Sequence, residues 1–154
     1  MVSATEPDFL RAQIRDRRWR EVLDVGMPHV LWQQAPEEHD YPAAAAYLAL
    51  LAPDDQVQAC VAALRAAPVT TQKAKDILRA AGLALLPRDN SHVAADLAKI
   101  DHKTPLSPVL IVRGDLATGR PAQIADGYHR VCASYYTDEN TAIPCQIAGL
   151  PQPT

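Results

Sequence analysis

Hydrophobic positions fall at helical spacing through the first half of the chain and change to strand-like runs after residue 100. Phe9, Leu10, Ile14, Trp19, Val22 and Leu23 share one stripe. Thr5, Glu6, Pro7 and Asp8 ahead of them supply a cap, a first-turn proline and acids for the positive dipole end, which predicts a helix to about Asp24, stopped by Gly26 and Pro28. A second helix fits Tyr41 to Leu51. A third begins at Pro53-Asp54-Asp55 and carries Val57, Cys60, Val61 and Leu64 on one face. Thr70 or Thr71 is the expected cap of a fourth, which holds Ala74, Ile77, Leu78 and Ala81 and ends at Gly82. Ala43 to Ala46 and the alanines around Leu64 reinforce the helical reading, since alanine loses no side-chain entropy in a helix.

Beyond Leu86 the pattern changes. Pro87-Arg88-Asp89-Asn90 reads as a turn, and Ser91 is the expected cap of a short helix with Val93, Leu97 and Ile100. Val109-Leu110-Ile111-Val112 is a continuous apolar run, as in a strand buried on both faces. Gly114 to Gly119 looks like a hairpin connection to a second strand at about Ala122 to Ala125. A helix follows from Gly127, and Ile143 to Ile147, which contains Pro144, reads as a last strand near a sheet edge. The expected class is α+β: an N-terminal helical bundle over residues 1–84, then a small module over 85–154 in the order helix, strand, strand, helix, strand.

A chain of 154 residues with 48% hydrophobic and 21% charged positions has the balance of a globular protein. Its formal net charge of −3 disfavours DNA as a partner, because neutralising phosphates needs a basic field. The arginines around Trp19 could form a nucleic-acid patch, but Glu6, Asp8, Asp16, Glu21 and Asp24 on the same predicted helix offset them. No apolar run is long enough to span a bilayer, and Met1 to Asp8 lacks the features of a secretion signal, so no membrane partner and a cytoplasmic location are expected. Cys60, Cys132 and Cys145 are widely spaced and read as buried, reduced thiols.

The segment that carries chemistry is Ile124-Ala125-Asp126-Gly127-Tyr128-His129-Arg130. A strand leads into a glycine turn and then directly into a helix, whose first N–H groups have no intrahelical acceptor and lie at its positive end. That is an anion site in outline. Arg130 could grip phosphate oxygens with its planar fork, and His129 could add a donor near neutral pH. Asp126 is read either as a Mg²⁺ ligand or as the cap of the helix, the latter being the expected role. Arg130 has the alternative of pairing with Asp126, and Tyr128 that of stacking on a base or standing idle. His92, Asp96 and His102 show no recognisable ligand spacing and are read as solvated.

Three segments together, Pro108 to Val112, Ile124 to Ala133 and Ile143 to Ile147, resemble the ParB/sulfiredoxin superfamily. They match its pattern of a proline-led apolar strand, a hydrophobic-x-Gly-x-x-Arg-x-x-Ala segment and an Ile-Pro strand. The resemblance covers about sixty residues of the C-terminal part. It implies a nucleotide-phosphate site at Gly127, Tyr128, His129 and Arg130, with Arg88 as a more distant contributor, and ATP or CTP with Mg²⁺ as ligand. Asp126-Gly127-Tyr128-His129-Arg130 is nearest to the Asp-Gly-His-His-Arg of the free-serine kinases. That implies an ATP- or CTP-dependent phosphotransferase or a nucleotidase, with a small-molecule acceptor in the first case. Sulfiredoxin activity is not expected, because Tyr128 stands where those enzymes carry their nucleophilic cysteine. The alternative is a non-enzymatic DNA- or protein-binding module in which the ParB-like part is structural or a nucleotide sensor.

Overall fold

The computed structural model describes residues 29–150. The first predicted helix, with its arginines, lies outside them. Within them the chain runs α1 (Asp40–Leu48), α2 (Asp54–Ala66), β1 (Thr70–Lys73), α3 (Ala74–Ala81), α4 (Ser91–Asp101), β2 (Val109–Val112), β3 (Gln123–Asp126), α5 (Tyr128–Thr137) and β4 (Ala142–Ala148). The α+β class is as expected. The four strands form one mixed sheet in the order β1-β4-β2-β3, with β2 parallel to β4 and the other pairs antiparallel.

β2 explains the layering. All four of its residues are buried, and its side chains alternate between two cores. Leu110 and Val112, with Ala125 of β3, face a layer made by Tyr41, Ala44 and Leu48 of α1 and Val57, Cys60, Val61 and Leu64 of α2. Val109 and Ile111, with Ile124, Ile143 and Cys145, face α3, α4 and α5. Each large aliphatic residue fully buried in this way contributes about 1.5–3 kcal/mol. Trp32 extends the second core by bridging to Leu106, with Gln33 N donating to Leu106 O at 2.8 Å.

Several expectations are corrected. Within the described residues, the helices of the N-terminal part do not form a separate bundle: α1 and α2 cover one face of the sheet. The division at residues 84 and 85 is crossed by hydrogen bonding, because β1 lies before it and pairs with β4 beyond it, Thr70 standing opposite Cys145 and Lys73 opposite Ala142. β1 is exposed at all four positions and polar in sequence, as suits an edge strand. Thr70 and Thr71 therefore belong to a strand and do not cap α3. Instead the first N–H groups of α3 are satisfied by the α5–β4 connection, Ala74 N by Thr141 O and Lys75 N by Glu139 O, both at 3.0 Å. β4 is central, not an edge. Pro144 is the third residue of β4, opposite Thr71 and one residue ahead of the first β2 partner at Cys145, so it lies outside the β2–β4 pairing. The cap of α4 is Asn90, one residue before the expected Ser91, its side chain accepting from His92 N at 3.0 Å and Val93 N at 3.1 Å. Gly82 closes α3 in the left-handed conformation, as its position predicted.

Candidate functional site

β3 delivers the chain to Asp126, and Gly127 turns it into α5 with φ of 111°. That conformation favours glycine, and space enforces it: a Cβ built there would overlap Val109 Cγ1 and lie 2.8 Å from Arg130 Nη2. The first α5 bond through this turn is Val131 N to Gly127 O at 3.0 Å. The N–H groups of Tyr128, His129 and Arg130 precede it, and no side chain caps this helix.

Asp126 is the last residue of β3 and lies outside the helix, so the capping role expected of it is not the one it has. Its Oδ2 accepts from Arg130 Nη2 at 2.9 Å, and the same nitrogen donates to Pro108 O at 3.3 Å. Arg130 Nε is buried with no protein partner among the described residues. The guanidinium expected to point at phosphate therefore has one nitrogen tied inward to the β3–α5 turn. Beside Asp126 stands Asp40 of α1, a buried carboxyl that disfavours a second negative charge there. Asp40 accepts from Ser107 Oγ at 2.8 Å and Glu37 N at 2.9 Å. Burial holds the Asp126 carboxyl above its ordinary range; Arg130 opposes the rise and Asp40 adds to it.

This setting does not suit Asp126 as a Mg²⁺ ligand. Such a ligand presents a charged oxygen to the cation, whereas Asp126 presents Oδ2 to a guanidinium and burial favours its uncharged form. Among the described residues, no group of three or more His, Cys, Asp or Glu side chains is arranged to hold a metal ion.

The solvent side of the same turn is built by α4. Asn90, as cap, sets His92 in the first turn of that helix, and its ring lies 4.7 Å from that of His129. Tyr128 also stacks against His129, with ring centroids 5.8 Å apart. Asp96, one turn beyond His92, faces the same cluster: burial pushes its carboxyl up, against the pull of Lys99, Arg130, His129 and His92 in that order. Burial, followed by the neighbouring His92, holds the His129 imidazole below its ordinary value, with Asp96 opposing and Arg130 adding to the fall. At neutral pH His129 is thus an uncharged ring with one nitrogen to donate and one to accept.

The structure brings Gly127, Tyr128, His129 and Arg130 to one turn, and it adds His92 and Asp96, which sequence reasoning set aside as solvated. Their separation of four residues on one predicted helix was the available signal, since it places both on one face. His102 is not part of the group; its Nδ1 is 2.7 Å from Ala98 O. Arg88 is not brought to Gly127. Its guanidinium lies over the Tyr136 ring at 4.8 Å, about two turns along α5 from Tyr128. Tyr128 and Tyr136 bond the carbonyls of Ala84 and Leu86 and so fasten the preceding loop to α5.

No helix among the described residues is long and apolar enough to cross a membrane. Comparison with protein-family models, with curated proteins and with solved structures finds no match to this chain.

Proposed function

We propose that this chain is a ParB/sulfiredoxin-like protein that binds a nucleoside phosphate, ATP or CTP, at the start of α5. The observation that carries the reading is an uncapped helix N-terminus, opened by Gly127, beside the paired rings of His129 and His92. Phosphate oxygens would be held by the N–H groups of Tyr128, His129 and Arg130, by His129 and His92, and by the edge of Arg130 turned away from Asp126. The sequence α4, β2, β3, α5, β4 is the helix, strand, strand, helix, strand order that the resemblance implies.

If the bound nucleotide reacts, the reaction class is hydrolysis or phosphoryl transfer to a small acceptor, chemistry that depends on positioning and charge more than on covalent steps. Asp96 then serves as the proton acceptor. It stands one turn along α4 from His92 and is half-buried, which raises its affinity for a proton. Asp126, tied to Arg130, is not a metal ligand in this reading.

A second reading rests on one observation, the engagement of Arg130 with Asp126 and Pro108. In it the motif is structural or a nucleotide sensor, and function lies in contacts with a protein or with DNA.

Thermal unfolding with ATP, CTP, GTP and ADP, with and without Mg²⁺, separates the two. A nucleotide at a hundred times its Kd adds about 2.7 kcal/mol of stability. The expected result is a rise in Tm for wild type that His129→Gln and His92→Ala reduce. His129→Gln is a cleaner probe than Arg130→Ala, which also breaks an internal ion pair. No rise at millimolar nucleotide sinks the binding site and leaves the second reading.

A further inference from the structure

At the end of the sheet away from Gly127, a cleft of about 300 Å³ opens between α3 and the ends of β2, β3 and β4. Its floor is four isoleucines, one from each element: Ile77 of α3, Ile111 of β2, Ile124 of β3 and Ile147 of β4. Arg113, directly after β2, lines the same cleft and is exposed. Its backbone N–H is held by Ala148 O at 2.8 Å, but its guanidinium has no ion pair or hydrogen bond among the described residues.

Across this cleft and its neighbour, three arginines stand against two carboxylates. An adjoining cleft, sharing Ala80, Gly114 and Ala122 with the first, carries Arg79 and Arg120, which form no ion pair among the described residues. Asp76 lines the first cleft and is paired with Lys75 at 3.4 Å, and Asp115 lines the adjoining one and accepts from Ala117 N and Thr118 Oγ1 at 3.1 Å each. An apolar floor with a few fixed polar groups is the composition of a small-molecule site, and the volume stands at the lower end for such pockets. At a water's ~30 Å³ per heavy atom the space suits a ligand on the order of ten non-hydrogen atoms.

We propose that this cleft binds a small apolar carboxylate, its hydrocarbon body on the four isoleucines and its carboxylate on Arg113. Arg79 and Arg120 favour the approach of an anion through their field. The site is separate from the α5 start, so it stands or falls independently of nucleotide binding.

The test is calorimetric titration of the full chain with sodium octanoate and with octylamine. Wild type is compared with Arg113→Gln and with Ala80→Trp, which fills the cleft from an exposed position on α3. Octanoate is expected to bind wild type saturably. Arg113→Gln should weaken it about ten-fold or more, as loss of a charge-assisted hydrogen bond does. Ala80→Trp should abolish the binding, and octylamine should bind far less well. Urea midpoints close to that of wild type establish that both variants fold. No saturable signal up to about 10 mM octanoate, ten-fold above a millimolar Kd, overturns the proposal. So does octylamine binding as well as octanoate, or octanoate affinity unchanged in Arg113→Gln.

Discussion

Arg130 Nη2 lies 2.9 Å from Asp126 Oδ2, and the two side chains are only 17% and 18% exposed. The ion pair that closes the β3–α5 turn is therefore largely desolvated, and its partners are not equivalent. Removing Arg130 leaves the Asp126 carboxyl buried beside Asp40, whereas Asp126→Asn keeps a side-chain oxygen that can accept from the guanidinium.

Arg130→Ala is accordingly expected to cost about 3 kcal/mol, the range for breaking a buried pair from one side. Asp126→Asn is expected to cost distinctly less. Urea unfolding at neutral pH measures both. A cost for Arg130→Ala under about 1 kcal/mol would mean that the pair behaves like a solvent-exposed bridge.

Gly127→Ala and Gly82→Ala form a matched test of backbone and space. Both glycines have positive φ, 111° and 65°, but nothing lies within 4 Å of a Cβ at Gly82, whereas one at Gly127 meets Val109. Gly82→Ala should cost about 1–2 kcal/mol, the left-handed penalty alone. Gly127→Ala should cost at least about 3 kcal/mol, because strain and overlap add. Equal costs in thermal or urea unfolding would show that the β3–α5 turn yields at no expense.

Two groups at the candidate site set opposite pH trends. Asp96 has a raised folded pKa, so it contributes stability at pH below the ordinary 3.8, and that contribution is lost as pH rises through the folded value. Asp96→Asn should remove this loss and raise stability at neutral pH relative to acid. His129 has a lowered folded pKa, so its contribution is complete above the ordinary 6.5 and is lost as pH falls from there towards the folded value. His129→Gln should flatten that part of the profile. Urea midpoints across the acid to neutral range read both slopes, and a variant profile parallel to wild type contradicts the corresponding assignment.

Residues 85–154 alone should not fold cooperatively. Such a fragment lacks β1, which pairs along β4, and the α1 and α2 side chains that cover Leu110, Val112 and Ala125. In the full chain Leu64→Ala should cost about 2–5 kcal/mol and lower the whole unfolding transition, since Leu64 shares a core with β2. A dispersed amide NMR spectrum from the fragment would restore the division at residue 85.

The α2 stripe of Val57, Cys60, Val61 and Leu64, the fully apolar β2 and the glycine entry to α5 were all legible from sequence. Each is a local pattern whose period or turn chemistry admits few alternatives. β1 was not legible: Thr70-Thr71-Gln72-Lys73 has no apolar alternation, and its threonines imitate a helix cap. Only the carbonyls of Glu139 and Thr141, more than sixty residues away, settle where α3 obtains its acceptors.

The candidate site divides along the same line. Sequence alone determined that a strand, a glycine, a histidine and an arginine would meet at one helix start, because those residues are consecutive and the backbone rule is local. Tertiary structure decided which way each side chain turns. Asp40 and Pro108 on other elements draw Asp126 and Arg130 inward, α4 brings His92 and Asp96 to His129, and Tyr136 takes Arg88 away from Gly127. Burial and charge at such a point are sums over neighbours distant in sequence, and no local pattern records them.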